Sequence, residues 1–252
     1  MAEQLDSIII GGTEYAIGGS GGVSKLKGKT LSVLGDSIST YSGLPGVSNP
    51  YYPQSDVNHK SLTWWGQLCD NTGMTMCRVN AIGGATISNK SNSFCNPMRY
   101  EALYSNGTSG SSPDIIVVLG GINDWNTNAE LGSYEDDFTV ATDTYIPSVR
   151  FLMKQMVLKY PTSKIFFCTP IRSWYFISTD YPPTKNGKSI QDFADATKKC
   201  GSLHGVAVID LYNNLSINEG NMTAKLIDRL HPKKSGCTDM ARFIQAELER
   251  LY

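Results

Sequence analysis

The sequence predicts an α/β protein: a doubly wound, mostly parallel sheet of five strands with helices on both faces. Two observations carry this reading. From residue 29 onward, short apolar runs alternate with segments whose apolar residues recur at helical spacing, the pattern of strand–helix–strand units. One run, Ile115-Ile116-Val117-Val118-Leu119, is apolar without interruption, as a strand covered on both faces must be. The chain has 252 residues, of which 40% are hydrophobic, enough for a substantial core. At ~150 residues per domain that length allows one large domain or two small ones. The order of elements favours one domain, residues 29–252, preceded by an appendage, residues 1–28.

The elements follow in order. Ile8-Ile9-Ile10, Gly11-Gly12 and residues 13–17 read as a hairpin around a Gly-Gly turn. Gly18-Gly19-Ser20-Gly21-Gly22 reads as a flexible linker. A lone two-stranded hairpin is rarely stable, so it is expected to pack on the main domain or on another chain. Residues 30–34 form the first strand of the main domain. Leu62, Trp65, Leu68 and Cys69 mark a helix, and residues 77–82 a second strand. Residues 114–119 are the third. Ile146, Val149, Leu152, Met153, Met156 and Val157 mark an amphipathic helix that Pro161 ends. Residues 164–169 are the fourth strand. Ile190, Phe193, Ala194 and Thr197 mark the next helix, residues 206–209 the fifth strand, and Met240, Phe243, Ile244, Leu248 and Leu251 a closing helix. No internal repeat is present. The expected arrangement is flavodoxin-like, and in such sheets ligands bind beyond the carboxyl ends of the strands, near the point where strand order reverses.

Composition excludes several function classes. Lys and Arg total 22 and Asp and Glu 23, a formal net charge of −1. A nucleic-acid binder would carry a basic surplus. The three histidines are His59, His204 and His231, so a multi-histidine metal centre is excluded and no convincing metal cluster or cofactor motif remains. The six cysteines, Cys69, Cys77, Cys95, Cys168, Cys200 and Cys237, form no C-x-x-C pair. Cys168 lies in an apolar strand and reads as a small buried hydrophobe. A bridge among Cys69, Cys77 and Cys95 stays open. No apolar run is long enough to span a bilayer. Residues 1–6 lack a charged region followed by a long apolar one, so the expectation is a soluble chain without a secretory leader. The compartment stays undetermined, and a secreted or cell-surface protein whose leader has been removed is open.

The residues that follow the strands carry the chemistry. Gly35-Asp36-Ser37-Ile38-Ser39 follows the first strand, Gly83-Gly84-Ala85-Thr86 the second, and Gly120-Gly121-Ile122-Asn123-Asp124 the third. Asp228-Arg229-Leu230-His231-Pro232 precedes the last helix. Each fragment alone is weak, since Gly-rich fragments are usually turns. Together they offer a nucleophile, amide donors and an acid–imidazole pair where an α/β sheet would gather them.

This set resembles the SGNH (GDSL-type) hydrolase family over roughly residues 30–252. Gly35-Asp36-Ser37, Gly84, Gly121-Ile122-Asn123-Asp124 and Asp228-x-x-His231 occur in the family's order. Ile38 stands where many members have Leu, a packing difference. The resemblance implies Ser37 as nucleophile, His231 as base and Asp228 as its orienting acid. It also implies an oxyanion hole formed by the N–H groups of Ser37 and Gly84 and the side-chain amide of Asn123. The chemistry needs these types: a serine hydroxyl requires an adjacent base, and an imidazole with unperturbed pKa ~6.5 can take and return the proton near neutrality. Gly84 is expected to let the backbone come close without a Cβ.

Other candidates are weaker. The linker matches G-x-S-x-G but has no strand-to-helix turn. Gly28-Lys29-Thr30 suggests a phosphate loop, but Val23 occupies the place of the required first Gly. His59 reads as an exposed loop residue, and His204 as a cation suited to a helix C-terminus. Asp36 and Asp124 read as local hydrogen-bonding residues. Trp125, Arg172, Trp174 and Tyr175 follow the third and fourth strands and are expected to rim the pocket as substrate-binding residues, suiting a sugar or an anionic group. Residues 41–60 read as a polar substrate loop.

The expected function is therefore a serine esterase acting through an acyl-enzyme on short acyl esters, including acetyl groups on carbohydrate. The expected partner is a small-molecule or glycan ester, with no nucleic acid and no membrane span. Two alternatives stand beside it: a lipase or thioesterase for longer chains, and an inactive binding or structural module in a larger assembly. An oligomer formed through the N-terminal hairpin is part of the expectation.

Overall fold

The computed structural model describes residues 7–10, 13–16, 24–174, 184–185 and 187–252, the first two segments as backbone. Strands β1 (Ser7–Ile10) and β2 (Thr13–Ala16) pair antiparallel, as their residue pattern predicts. The Gly-rich linker and Tyr175 lie outside the described residues.

The main sheet is built from β3 (Thr30–Gly35), β4 (Val47–Ser48), β5 (Thr75–Ile82), β6 (Ile115–Leu119), β7 (Lys164–Cys168) and β10 (Ala207–Ile209). Its spatial order is β10-β7-β6-β3-β5-β4 and every neighbouring pair is parallel. Five strands match the predicted ones, and their order, 2-1-3-4-5 in chain sequence, is flavodoxin-like. The sixth, β4, is a correction. It is a two-residue edge strand pairing Val47 with Ala81 and Ser48 with Ile82, inside the segment read as loop. Two residues carry no periodicity, so the sequence held no signal for it.

The helices are α1 (Trp64–Thr72), α2 (Pro97–Tyr100), α3 (Ile122–Asn126), α4 (Tyr145–Lys159), α5 (Ile190–His204), α6 (Leu211–Asn214), α7 (Met222–Lys225) and α8 (Lys234–Leu251). A small hairpin, β8 (Thr184–Lys185) with β9 (Lys188–Ser189), leads into α5. The four long helices match the predicted ones, except that Leu62, read as part of the first, lies in a 3-10 turn just before α1. Their ends follow from local chemistry. The Thr63 side chain accepts from the Gly66 N–H to start α1, and Ser189 and Asp192 form a reciprocal capping box on α5. The short helices have too few residues for a periodic signal.

Parallel crossovers are right-handed, and the chain moves one way from β3 to β5 and the other way from β6 through β7 to β10. Connections of opposite direction place their helices on opposite faces. Accordingly α1 packs with α8, and α4 packs with α5. Between these layers all five residues of β6 are buried. Cys168 is buried too, and all six cysteines are free thiols, so no bridge joins Cys69, Cys77 and Cys95. Among the described residues no helix is long and apolar enough to cross a membrane.

Two histidines are accounted for here. His59 is exposed and caps a single 3-10 turn, accepting from the Ser61 N–H. His204 does lie in the last turn of α5, but not as a cation. Burial and the positive charges of Arg150 and Lys154 lower its pKa, and Arg150 Nε donates to its Nε2 at 3.2 Å.

Candidate active site

Strand order reverses between β5–β3 and β6, and the four sequence blocks converge at that point. Strand β3 ends in Gly35, and residues Ser37–Ser39 make a 3-10 turn. The Asp36 carboxylate accepts from the Ile38 N–H at 3.0 Å, which caps the turn. A Cβ on Gly35 would lie 2.4 Å from the Ser39 Cβ, so glycine is required for the chain to fold back this tightly. The Trp65 indole donates to the Ser39 carbonyl at 2.9 Å, and the Trp64 indole to the Ser39 hydroxyl at 3.2 Å. The turn is thus fixed from α1, and the N–H of Ser37, opening a helical turn, has no intra-turn acceptor.

The second half of the site is a loop between α7 and α8. Leu226 and Pro232 form an isolated bridge, and the Ile227 N–H donates to the His231 carbonyl at 2.8 Å. Asp228 Oδ1 accepts from the N–H groups of Leu230 at 3.1 Å and His231 at 2.8 Å. Asp228 Oδ2 lies 2.8 Å from His231 Nδ1, and His231 Nε2 lies 2.8 Å from Ser37 Oγ. Burial alone would raise the Asp228 pKa, but hydrogen bonds from the His231 ring, its N–H and the Leu230 N–H outweigh it. The carboxyl is held well below the usual carboxylate range. An ionised carboxylate only accepts, so Nδ1 carries the proton and Nε2 accepts from the Ser37 hydroxyl.

The amide donors come from the next two blocks. Gly84 has a φ of 80°, in the left-handed region that favours glycine. A Cβ there would meet nothing within 4 Å, so the reason for glycine is this backbone angle and not the close approach expected from the sequence. The Asn123 amide donates one hydrogen to the Ala85 carbonyl at 2.9 Å. Asp124 accepts from the N–H groups of Ile87 and Ser88, each at 2.8 Å. Neighbouring residues of α3 therefore tie down the segment carrying Gly84. Asp36 and Asp124 have the local acceptor roles read from the sequence. Both are fully buried, and desolvation pushes Asp36 up to about 7 and Asp124 up to about 6. Asp36 Oδ2 has no hydrogen-bond partner.

Ser37, Gly84, Asn123 and His231 line one cavity of about 250 Å³, together with Asn49, Pro50, Tyr51, Asn126 and Leu230. Asn49, Pro50 and Tyr51 come from the loop read as a substrate loop. Tyr51 stacks on His231, a contact between segments far apart in the chain that no sequence spacing predicts. A larger cavity of about 380 Å³ beside α1 and β5 holds none of the four blocks.

The expected aromatic rim is a correction. Trp125 and Trp174 are each only 2% exposed and belong to the core. The Trp125 indole donates to the Lys188 carbonyl at 3.0 Å. The Trp174 N–H donates to the Arg229 carbonyl at 2.9 Å and so braces the Asp228–His231 loop from behind. Arg172 lies over the Tyr212 ring, 4.7 Å from its centroid, and donates through Nε to the Tyr212 carbonyl. None of the three is among the described residues lining the cavity. Large aromatic rings buried beside a sheet gain more from leaving water than from facing a polar cleft.

The family model described as GDSL-like lipase/acylhydrolase matches residues 29–172. No curated protein matches. Among solved structures, a protein from Lactobacillus plantarum superposes with a TM-score of 0.71 at 22% identity, covering 90% of this chain and 99% of that one. A lipase/acylhydrolase from Enterococcus faecalis gives 0.54 at 17% identity, over 88% and 96% of the two chains. The acetyl xylan esterase AlAXEase gives 0.58 at 19% identity, over 87% and 99%. At these identities the likeness concerns the fold, while the family match covers more than half of the sequence. The chain belongs to the GDSL-like lipase/acylhydrolase family, the SGNH-type hydrolases that act on esters.

Proposed function

We propose that the protein is a serine esterase for short acyl esters. The observation that carries the reading is the unbroken chain Ser37 Oγ, His231 Nε2, His231 Nδ1, Asp228 Oδ2, with 2.8 Å at both links. Ser37 Oγ attacks the ester carbonyl while His231 Nε2 takes its proton. Asp228 stabilises the imidazolium that results. Negative charge collects on the former carbonyl oxygen, for which Asn123 Nδ2 and the N–H groups of Ser37 and Gly84 are the available donors. Collapse expels the alcohol, which receives the proton from His231. Water then adds to the acyl-Ser37 ester by the same steps in reverse order, releasing the acid.

The substrate class follows from size and lining. A cavity of about 250 Å³ bordered by Asn49, Asn123 and Asn126 suits a small acyl group on a polar alcohol better than a long alkyl chain. An acetylated sugar fits that description, and the fold likeness to an acetyl xylan esterase points the same way. The test is a panel of acetyl, butyryl and octanoyl esters, including acetylated sugars, on the wild type and Ser37→Ala. Acetyl esters are expected to give the highest kcat/KM and Ser37→Ala to abolish turnover. A clear preference for octanoyl esters sinks the short-acyl reading, and full activity in Ser37→Ala sinks the mechanism.

We propose, too, that residues 1–28 are an appendage to a hydrolase domain of residues 29–252 and serve assembly. The antiparallel pairing of β1 with β2 and the start of the family match at residue 29 support this. Removing residues 1–22 is expected to lower the mass in solution without loss of esterase activity; an unchanged mass removes the assembly role.

A further inference from the structure

We infer that the stacked ring of Tyr51 is a positioning element for the His231–Asp228 pair, a role that rests on the serine-esterase reading above. The ring lies face to face with the His231 imidazole, centroids 3.5 Å apart and planes within 9°. The Tyr51 hydroxyl donates to Asp228 Oδ2 at 3.2 Å, the same oxygen that accepts from His231 Nδ1. One side chain thus touches both partners of the proton-transfer pair.

The backbone of Tyr51 is anchored at the nucleophile. Its N–H donates to Thr40 Oγ1 at 2.8 Å, and Thr40 Oγ1 donates to the Ser37 carbonyl at 2.8 Å. The next residue repeats the connection on the other side. Tyr52 is buried, meets Tyr51 edge-on at 5.1 Å, and donates through its hydroxyl to the carbonyl of Pro232, the residue after His231. The segment therefore spans the Ser37 turn and the His231 loop, which are 194 positions apart in the chain.

The physical consequence lies in kcat. A flat ring against one imidazole face blocks rotation of His231 away from Ser37. It also presents π-electron density to the imidazolium formed during proton transfer. Both effects act on the reacting geometry, where small misplacements are costly.

The test compares Tyr51→Phe, Tyr51→Leu and Ser37→Ala, using p-nitrophenyl acetate turnover and the rate of covalent labelling by a fluorophosphonate probe. Tyr51→Leu is expected to lower kcat by about 10- to 100-fold with KM little changed, and to slow labelling to a similar degree. Tyr51→Phe, which keeps the ring and loses only the hydroxyl, is expected to restore most of both rates. Wild-type kcat in Tyr51→Leu, a loss confined to KM, or Tyr51→Phe as slow as Tyr51→Leu overturns the inference. If Tyr51→Leu does not fold, Tyr51→Met makes the same comparison. Ser37→Ala separates the two readings: labelling or turnover that persists there overturns the serine mechanism, whatever Tyr51 does.

Discussion

Asn123 gives one amide hydrogen to the Ala85 carbonyl at 2.9 Å, next to Gly84, another of the three donors proposed for the oxyanion. That bond fixes which way the amide faces and leaves its second N–H for the cavity it lines. The two donors are therefore set by one another before substrate arrives. Asn123→Ala is expected to lower kcat by about 10²- to 10³-fold with KM nearly unchanged, because the lost bond matters chiefly when the oxygen is charged. Steady-state kinetics on an acetyl ester checks this, and a purely KM effect would argue against an oxyanion role.

Asp228→Asn tests the acid. The amide oxygen can still accept from the His231 and Leu230 N–H groups, while its NH₂ then faces Nδ1. An amide donor opposite Nδ1 moves the ring proton to Nε2, where it can no longer accept from Ser37. A fall in kcat of about 10³- to 10⁴-fold is expected. The depressed carboxyl also gives a stability contribution that is present at neutral pH and lost as pH falls into the acid range.

Asp36 predicts the opposite dependence. Its carboxyl is pushed from 3.8 up to about 7 by burial, against the bond from Ile38. Between those values the folded chain holds a proton that the unfolded chain has released. Stability from this group is complete below about pH 4 and is lost as pH rises toward 7, by a total of order 4 kcal/mol. Asp124, up to about 6, adds to the same slope. Asp36→Asn keeps an acceptor for the Ile38 N–H and has no charge to bury. Urea denaturation of the variant is expected to show a flatter pH dependence from 5 to 8 and higher stability at pH 8. Equal slopes in the two proteins would mean that Asp36 titrates normally.

Arg99 is a buried cation beneath the nucleophile turn. It donates to the Gly35 carbonyl at 3.0 Å, the Asn92 carbonyl at 2.7 Å and the Asn80 side chain at 2.7 Å, and burial lowers its own pKa to about 10. Arg99→Met removes three bonds and leaves buried acceptors unmatched. A loss of about 3 kcal/mol is expected in chemical denaturation, with reduced activity because Gly35 leads directly into Ser37.

The alternation of apolar runs and helical periods was enough to name five strands, their parallel arrangement and the long helices, since each element's pattern is local. The four blocks were legible for the same reason: Gly35 to Ser37, Gly84, Asn123 and Asp228 to His231 each follow or precede an element whose end the sequence marks. The two-residue strand β4 was not legible, because its pairing depends on β5 and on nothing within itself. Trp125, Arg172 and Trp174 were placed wrongly for a related reason. Position after a strand says that a residue is near the site, but the direction of its side chain depends on what packs against it.

Fold class and the residue types of the site can be read from the amino-acid order, because secondary-structure period and reactive groups are properties of short segments. The 2.8 Å links among Ser37, His231 and Asp228, the left-handed angle as the reason for Gly84, and the stacking of Tyr51 arise from the folded arrangement. Those depend on contacts between segments far apart in the chain, and such contacts exist only once the sheet has set the spacing between its strand ends.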